Sequence, residues 1–263
     1  MIDQCRLCGS NELQLWMTDG HNCDLNYYRC GVCSLWNYDL SLGMGQSQYT
    51  ETYVSPTVTN YKSNIYIRQS WDYLTNHLTS PGKIMDIGCG NACLLHLARQ
   101  AGWQVQGMEL SQSAADAIKQ DQGIDVIVAN FLDYQSDEPA SFDLVVLRHV
   151  LEHLPDSILA MNQISNLLKV NGYAMLEFPN TGSLGYAIKR RLKNRGLRNK
   201  KYSPEWRPGH CNEFCRKSFN LLLVKTDFEL VDWQTYSSKP WMNPLFRIFP
   251  LASKARALVR KIR

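Results

Sequence analysis

Hydrophobic residues recur with two different periods along this chain. Between residues 83 and 236, short and nearly continuous apolar runs alternate with longer segments in which apolar residues return every three or four positions. The first pattern is typical of strands buried on both faces, and the second of amphipathic helices. Their alternation predicts an α/β fold with a mostly parallel sheet covered on both faces. Strands are predicted over 83–87, 103–110, 125–129, 142–147, 173–178 and 228–236, and helices over 92–101, 111–120, 156–169 and 216–226.

The segments that flank this region have different patterns. Residues 1–45 are aromatic-rich and show no long helical period, while residues 46–80 are polar, with a helical spacing from Tyr66 to Leu78. Near the C-terminus an apolar set would share one helical face, with cations on the other: Leu251, Ala255, Leu258, Val259 and Ile262. This predicts a basic amphipathic tail over residues 239–263, which either lies on an anionic membrane surface or docks on the protein itself.

Composition narrows the class of protein. The chain has 263 residues, 44% of them hydrophobic and 20% charged, which is normal for a protein with a buried core. No apolar run approaches 18 residues, so we expect no transmembrane helix. The first residues lack the basic flank and apolar stretch of a signal peptide. We therefore expect a cytoplasmic protein, with the tail able to contact the inner membrane surface.

The net charge of +4 hides two basic segments. Nine Lys and Arg and one acid lie between Lys189 and Arg207, and seven Lys and Arg with no acid follow Trp233. Such segments favour phosphate-bearing partners, such as a nucleotide-sugar, a lipid-linked intermediate or an RNA backbone. Sparse aromatic residues among the cations weaken the case for single-stranded nucleic acid.

Four of the nine cysteines form two pairs, Cys5-x2-Cys8 and Cys30-x2-Cys33. In a reducing compartment such pairs are typical of a tetrahedral zinc site rather than of disulfides. Four filled positions leave no open coordination site, so the predicted Zn2+ is structural. His21 and Cys23 lie outside the pairs, and either could replace a ligand.

A glycine-rich turn, Asp86-Ile-Gly-Cys-Gly-Asn-Ala92, joins the first predicted strand of the α/β region to its first helix. Gly88 and Gly90 allow a ligand to approach the backbone, and Glu109 ends the second strand, where it can accept hydrogen bonds from ribose hydroxyls. A dinucleotide loop would have glycine at position 93 instead of Cys93, and Asp86 would repel a pyrophosphate. A cationic ligand such as S-adenosylmethionine fits this charge pattern better.

The sequence resembles the class I S-adenosylmethionine-dependent methyltransferases. The resemblance rests on Asp86–Ala92, on Glu109, on Phe142-Asp-Leu-Val-Val-Leu-Arg-His-Val-Leu-Glu-His-Leu154, on Leu167-Leu-Lys-Val-Asn-Gly172 and on Glu177-Phe-Pro-Asn180. It implies a Rossmann-like, doubly wound, mostly parallel sheet over residues 81–238, with a basic lid over about 181–215. By position, Asp86, Gly88 and Gly90 would hold the methionine end of the cofactor, Glu109 the ribose, and Asn130 and Phe131 the adenine.

A second, narrower resemblance concerns the N-terminus. Residues 1–45, with both cysteine pairs, are similar to the zinc-binding domain fused to sugar and surface-polysaccharide methyltransferases. Two features depart from the methyltransferase pattern: the last loop glycine is replaced by Ala92, and no final antiparallel strand is identifiable after residue 236.

Methyl transfer requires alignment of donor and acceptor and, for a hydroxyl acceptor, removal of a proton. The candidate bases lie after the fourth and fifth strands and in the lid: His149, then His210, then Glu177. His153 would lie on the same face as His149. Cys211 and Cys215 lack two further ligands for a second metal site.

Three functions remain open from the sequence. The leading hypothesis is a methyltransferase acting on a small or lipid-linked intermediate, most simply a sugar, a nucleotide-sugar or a surface-polysaccharide precursor. The second is an RNA methyltransferase that grips RNA with the zinc ribbon and basic lid. The third is a non-catalytic binding module on the same fold.

Overall fold

The computed structural model of the chain describes residues 2–20, 25–44, 65–197, 203, 207–237, 243 and 252–263. Several predicted features lie outside these residues: His21 and Cys23, residues 46–64 of the linker, residues 198–202 and 204–206 of the lid, and residues 239–242 and 244–251 of the tail. Among the described residues, no helix combines the length and apolar character needed to cross a lipid bilayer.

From residue 65 to residue 236 all the predicted strands and helices are present in the predicted order, and a helix over Leu184–Asn194 and a short strand over Asn212–Glu213 add to them. The strands are β1 Leu13–Asp19, β2 Leu25–Cys30, β3 Trp36–Tyr38, β4 Lys83–Ile87, β5 Gln104–Glu109, β6 Val126–Val128, β7 Phe142–Arg148, β8 Leu168–Pro179, β9 Asn212–Glu213, β10 Phe228–Tyr236 and β11 Lys254–Lys261. The helices are α1 Ile65–His77, α2 Cys93–Gln100, α3 Gln112–Gln122, α4 Ser157–Leu167, α5 Leu184–Asn194 and α6 Arg216–Val224.

A seven-stranded sheet in the order β10-β11-β8-β7-β4-β5-β6 forms the centre of the fold. Strands β4 to β8 pair in parallel, whereas β11 is antiparallel to both of its neighbours. The strand order reverses beside β4, and such a reversal opens a crevice at the carboxyl ends of the strands. The predicted α/β sheet is therefore confirmed, and the crevice locates the functional site.

Helices cover both faces of this sheet, because successive side chains of a strand point to opposite sides. Ile84 of β4 and Leu144 of β7 pack on one side with residues of α1, α2 and α3. Met85 and Val145, their chain neighbours, pack on the other side with residues of α4 and α6. Burial on both faces explains why these strands appear in the sequence as nearly continuous apolar runs.

The predicted C-terminal helix is wrong, because Lys254–Lys261 is a strand. It lies between β8 and β10 and supplies the final antiparallel strand that was not identifiable in the sequence. Leu258 and Val259, assigned to the apolar face of that helix, are fully buried in the sheet. Arg256, assigned to the solvated face, is 2% exposed and pairs with Glu177. The membrane contact inferred from that helix has no structural basis in these residues.

The N-terminal module and the α/β domain share a second sheet, in the order β1-β2-β3-β9. Its last strand comes from the loop before α6, so that Trp36 pairs with Glu213. Arg6 strengthens this junction, since its guanidinium donates to the backbone oxygen of Cys211 at 2.8 Å. The module is therefore joined to the segment that carries Cys211 and Glu213 instead of standing apart from the α/β domain.

Helix α5 of the basic lid also packs on the N-terminal module. The guanidinium of Arg190 lies 3.8 Å from the ring centre of Trp16, and Lys193 forms an ion pair with Asp19 at 2.6 Å. At least these two cations of the first basic segment are therefore engaged within the protein. This reduces the number available to a phosphate-bearing partner.

Candidate functional site

A cavity of about 620 Å³ opens at the carboxyl ends of β4, β5 and β7. Of the six predicted cofactor residues, five line this cavity: Gly88, Gly90, Glu109, Asn130 and Phe131. The sixth, Asp86, is a buried residue of β4, two positions before Gly88. The structure thus brings the predicted cofactor residues to one place, at the point where the strand order reverses.

The glycine-rich turn requires a backbone that other residues adopt with strain. Gly88 has φ of +67°, and a Cβ added there would lie 2.6 Å from Cγ2 of Val150. Gly90 has φ of +57°. Ala92 replaces the last glycine of the family pattern and takes a left-handed conformation at φ of +54°. The loop therefore keeps its shape despite the substitution.

Glu109 is held rigidly at the end of β5. Its Oε2 accepts a hydrogen bond from the backbone N–H of Gly90 at 3.0 Å, and its Oε1 accepts one from Leu110 at 2.8 Å. Each carboxylate oxygen has a second lone pair. The side chain can therefore still accept hydrogen bonds from a ligand with two neighbouring hydroxyls.

Asp86 carries a charge that its surroundings disfavour. Burial raises the pKa of this carboxyl to about 7, against the opposing influence of the Arg148 guanidinium, while the charges of Glu109 and Glu177 raise it further. A cationic ligand above the loop would favour the ionised carboxylate.

Asn130 and Phe131 shape the far end of the cavity. Asn130 begins a short turn, since its Oδ1 accepts from the N–H of Leu132 at 3.3 Å and its Nδ2 donates to Asp133 at 2.7 Å. Phe131 is buried in the core below. These contacts give the predicted adenine end a fixed wall.

His149 lies in the same cavity and is oriented by an acid. It adopts φ of +57°, and its Nδ1 lies 3.2 Å from Oε1 of Glu152. Glu152 is fully buried. Burial alone would raise the pKa of Glu152, but the hydrogen bond from His149 and the charges of the neighbouring histidines hold it below its ordinary range. A non-glycine residue in this strained conformation is typical of functional sites.

His153 and His210 form the opposite side of the cavity. Their rings meet edge to face, with centres 4.8 Å apart. His153 Nδ1 lies 2.8 Å from the backbone oxygen of Gly209, and His210 Nδ1 lies 3.2 Å from Oε1 of Glu213. Burial lowers the pKa of His210, but Glu213 and Glu152 raise it above its ordinary value. Glu213 was not predicted as a site residue, although its position three residues after His210 indicates that the two side chains can meet.

Glu177, the third candidate base, does not line the cavity. Its carboxylate is 1% exposed and accepts hydrogen bonds from Arg148 Nε at 3.0 Å and from the Ser70 hydroxyl at 2.8 Å. It also forms an ion pair with Arg256 Nη2 at 3.0 Å. Burial alone would raise the pKa of Glu177, but the two guanidinium groups hold it below its ordinary range. This buried ion cluster argues against Glu177 as a base.

The four cysteines of the two pairs lie together, with their sulfur atoms within 4.8 Å of one another. The Cys5–Cys33 and Cys8–Cys30 sulfur distances are both 3.5 Å. Tetrahedral zinc with Zn–S bonds of about 2.3 Å separates its sulfurs by about 3.8 Å, so the cluster fits this ion. Cys211, in contrast, donates its thiol to the backbone oxygen of Glu152 at 3.4 Å.

Comparison with known proteins shows that this chain resembles methyltransferases. A family model described as a methyltransferase domain matches residues 61–232. The ubiquinone biosynthesis O-methyltransferase of Xanthomonas campestris pv. campestris is 24% identical over 182 residues, which cover 65% of this chain and 73% of the relative.

Two solved structures with bound S-adenosylhomocysteine share the fold. The magnesium protoporphyrin IX methyltransferase of Synechocystis PCC 6803 superposes with a TM-score of 0.55 at 15% identity, over 74% of this chain and 82% of that one. The 1,6-didemethyltoxoflavin-N1-methyltransferase of Burkholderia thailandensis superposes with a TM-score of 0.55 at 18% sequence identity, over 78% of this chain and 82% of that one. With the family match over residues 61–232, they show that this chain belongs to the class I S-adenosylmethionine-dependent methyltransferases.

Proposed function

We propose that this methyltransferase acts on a hydroxyl group of a small-molecule acceptor, with His149 as the general base. The observation that carries the proposal is the His149–Glu152 pair, which lies in the cavity also lined by Gly88, Gly90 and Glu109. A base must lie within reach of the proton that it removes, beside the site of the donor.

The proposed roles of the residues follow from their contacts. When bound, S-adenosylmethionine supplies the methyl group and a sulfonium leaving group. His149 takes the proton of the acceptor hydroxyl on Nε2, so that the oxygen keeps the electron pair that forms the new C–O bond. Glu152 holds the Nδ1 proton and stabilises the imidazolium, which returns its proton to solvent.

A smaller cavity of about 230 Å³, which His210 also lines, indicates which class of acceptor would fit. Its lining includes the aromatic residues Tyr27, Trp36 and Tyr186, the cations Lys189 and Arg190, and the acids Asp19 and Glu213. Aromatic faces can pack on a sugar ring or a base, and Lys189 can attract a phosphate, whereas Arg190 is stacked on Trp16. We therefore retain a sugar phosphate or nucleotide-sugar as the proposed acceptor. The name of the Xanthomonas relative supports a second candidate, the hydroxyl of a quinone precursor.

The test uses labelled S-adenosylmethionine with two acceptor panels, nucleotide-sugars and catechols. The proposal expects label in a nucleotide-sugar product, and a fall of about 10²–10⁴-fold in kcat for His149→Ala with unchanged affinity for the cofactor. His77→Ala is the matched control, since His77 lies on α1 and does not line the cavity. Unchanged turnover in His149→Ala would contradict the role of the base, and label in catechols alone would assign the second acceptor.

We also propose that Cys5, Cys8, Cys30 and Cys33 hold a structural Zn2+. The close approach of their sulfurs supports this proposal, as does the amide of Asn37, which donates to Cys5 Sγ at 3.7 Å. Metal analysis of the purified protein tests it: one zinc per chain is expected, and a value near zero after preparation without chelators would refute it.

A further inference from the structure

A second group of metal-type ligands lies at the acceptor end of the cavity, apart from the cysteines. We infer that Glu152, His153 and His210 form a binding site for a divalent cation that prefers nitrogen and oxygen ligands, such as Mn2+, Fe2+ or Zn2+. One ligand atom of each residue lies within 4.8 Å of the others. The site goes beyond the proposed methyl transfer, because its occupancy can be measured without any acceptor.

The two imidazoles are oriented as they are in metal sites. The Gly209 backbone oxygen can only accept a hydrogen bond, so His153 Nδ1 carries the proton at their 2.8 Å contact. His210 Nδ1 faces the Glu213 carboxylate in the same way. When the rings are neutral, Nε2 of each carries a lone pair, and a carbonyl or carboxylate on the opposite nitrogen is the usual outer support of a metal-binding histidine.

A second, independent observation concerns the carboxylate of Glu152, one oxygen of which lacks a hydrogen-bond partner among the described residues. The side chain is fully buried, and its Oε1 is used by His149, whereas its Oε2 has no hydrogen-bond partner among the described residues. A buried carboxylate oxygen without a partner is costly, and in a native structure it indicates an absent water, ion or ligand. A cation between this oxygen and the two rings would satisfy it.

The local charge favours a cation over a neutral ligand. Glu213, 9% exposed, adds a second buried carboxylate behind His210, and its Oε2 also lacks a hydrogen-bond partner among the described residues. With neutral imidazoles, the two acids bring two negative charges close to the ligand atoms. A divalent cation balances this charge.

The ligand set determines which ions fit the site and how many coordination positions remain open. Two imidazoles and one carboxylate suit Mn2+, Fe2+ or Zn2+, whereas four thiolates select zinc. Three protein ligands leave coordination positions for water or for oxygen atoms of an acceptor. Since the three residues line the cavity together with His149, those open positions face the space assigned to the acceptor.

Mn2+ is the suitable probe, because it distinguishes this site from the cysteine cluster. The full chain, purified with its native metal content, is titrated with MnCl2, and free Mn2+ is followed by its paramagnetic resonance signal. We expect one bound Mn2+ per chain. Glu152→Gln and His210→Ala should each weaken binding at least tenfold, whereas His77→Ala should leave it unchanged.

His210 is 34% exposed at its side chain, so His210→Ala tests the site even if the buried Glu152→Gln fails to fold. No binding at millimolar Mn2+, or equal binding by wild type and His210→Ala, overturns the inference. The outcome is separable from the proposed function. Full turnover in His149→Ala would defeat the base and leave the metal result standing, while absent Mn2+ binding would defeat the site alone.

Discussion

Replacing Asp86 with asparagine should stabilise the protein and weaken cofactor binding at the same time. The pKa of Asp86 is raised from its ordinary 3.8 to about 7 by burial, with Arg148 opposing the shift. The folded state therefore holds more protons than the unfolded state between about pH 4 and pH 7. Stability must fall as pH rises through that interval and then stay level.

The size of this effect follows from the shift of about three pKa units, each worth about 1.4 kcal/mol. Ionising Asp86 should thus lower the free energy of unfolding by about 4 kcal/mol between pH 4 and pH 8. Asp86→Asn has no charge to ionise, so its advantage over wild type should grow with pH. Urea denaturation of both proteins between pH 5 and pH 8 measures the difference.

Cofactor affinity should show the opposite trend, because the positive charge of S-adenosylmethionine favours the ionised carboxylate. With a pKa of about 7, the ionised fraction rises about tenfold between pH 6 and pH 8, and Kd should fall by a similar factor. In Asp86→Asn, calorimetric titration should give a weaker and nearly constant Kd. A wild-type Kd that is constant within twofold, or a mutant with the same slope, would refute the reasoning.

Three further predictions follow from other contacts. Gly88→Ala should weaken cofactor binding at least tenfold, since its Cβ would meet Val150 at 2.6 Å; calorimetry showing wild-type affinity would contradict this. Arg256→Met should cost about 3–5 kcal/mol in urea denaturation, because Glu177 loses a buried partner; a loss below 1 kcal/mol would show that the remaining partners suffice. Removal of zinc by a chelator should abolish turnover together with the β3–β9 contact, and full activity of metal-free protein would separate the module from the site.

Much of the α/β domain could be predicted because its signals are local. The strand over 83–87 and the turn at Gly88 and Gly90 depend on burial and backbone freedom that are visible in a few consecutive residues. Glu109 was found because it ends the second strand, at the expected distance from the glycine-rich turn. Five of the six residues predicted to hold the cofactor accordingly line the cavity at the carboxyl ends of the strands.

The C-terminal strand was missed because its residues are buried on both faces, so that polar alternation does not appear. Arg256 resembled a solvated cation, yet its partner Glu177 lies 79 positions earlier in the chain. Lys261 donates to the backbone oxygens of Ser165 and Leu168. Such partners are set by tertiary structure, and the same holds for the approach of His210 to His153.

The shared sheet of β3 and β9 has a consequence for synthesis of the chain. Tyr38 ends β3, but its sheet is completed only by residues 212–213, so the N-terminal module emerges from the ribosome long before its last strand exists. At about 5–20 residues per second, the delay is about 10–35 s. During that time the edge of β3 lacks its neighbour and exposes strand groups able to pair with another chain. Early closure of the cysteine cluster around an ion would hold this nascent segment in shape until the lid arrives.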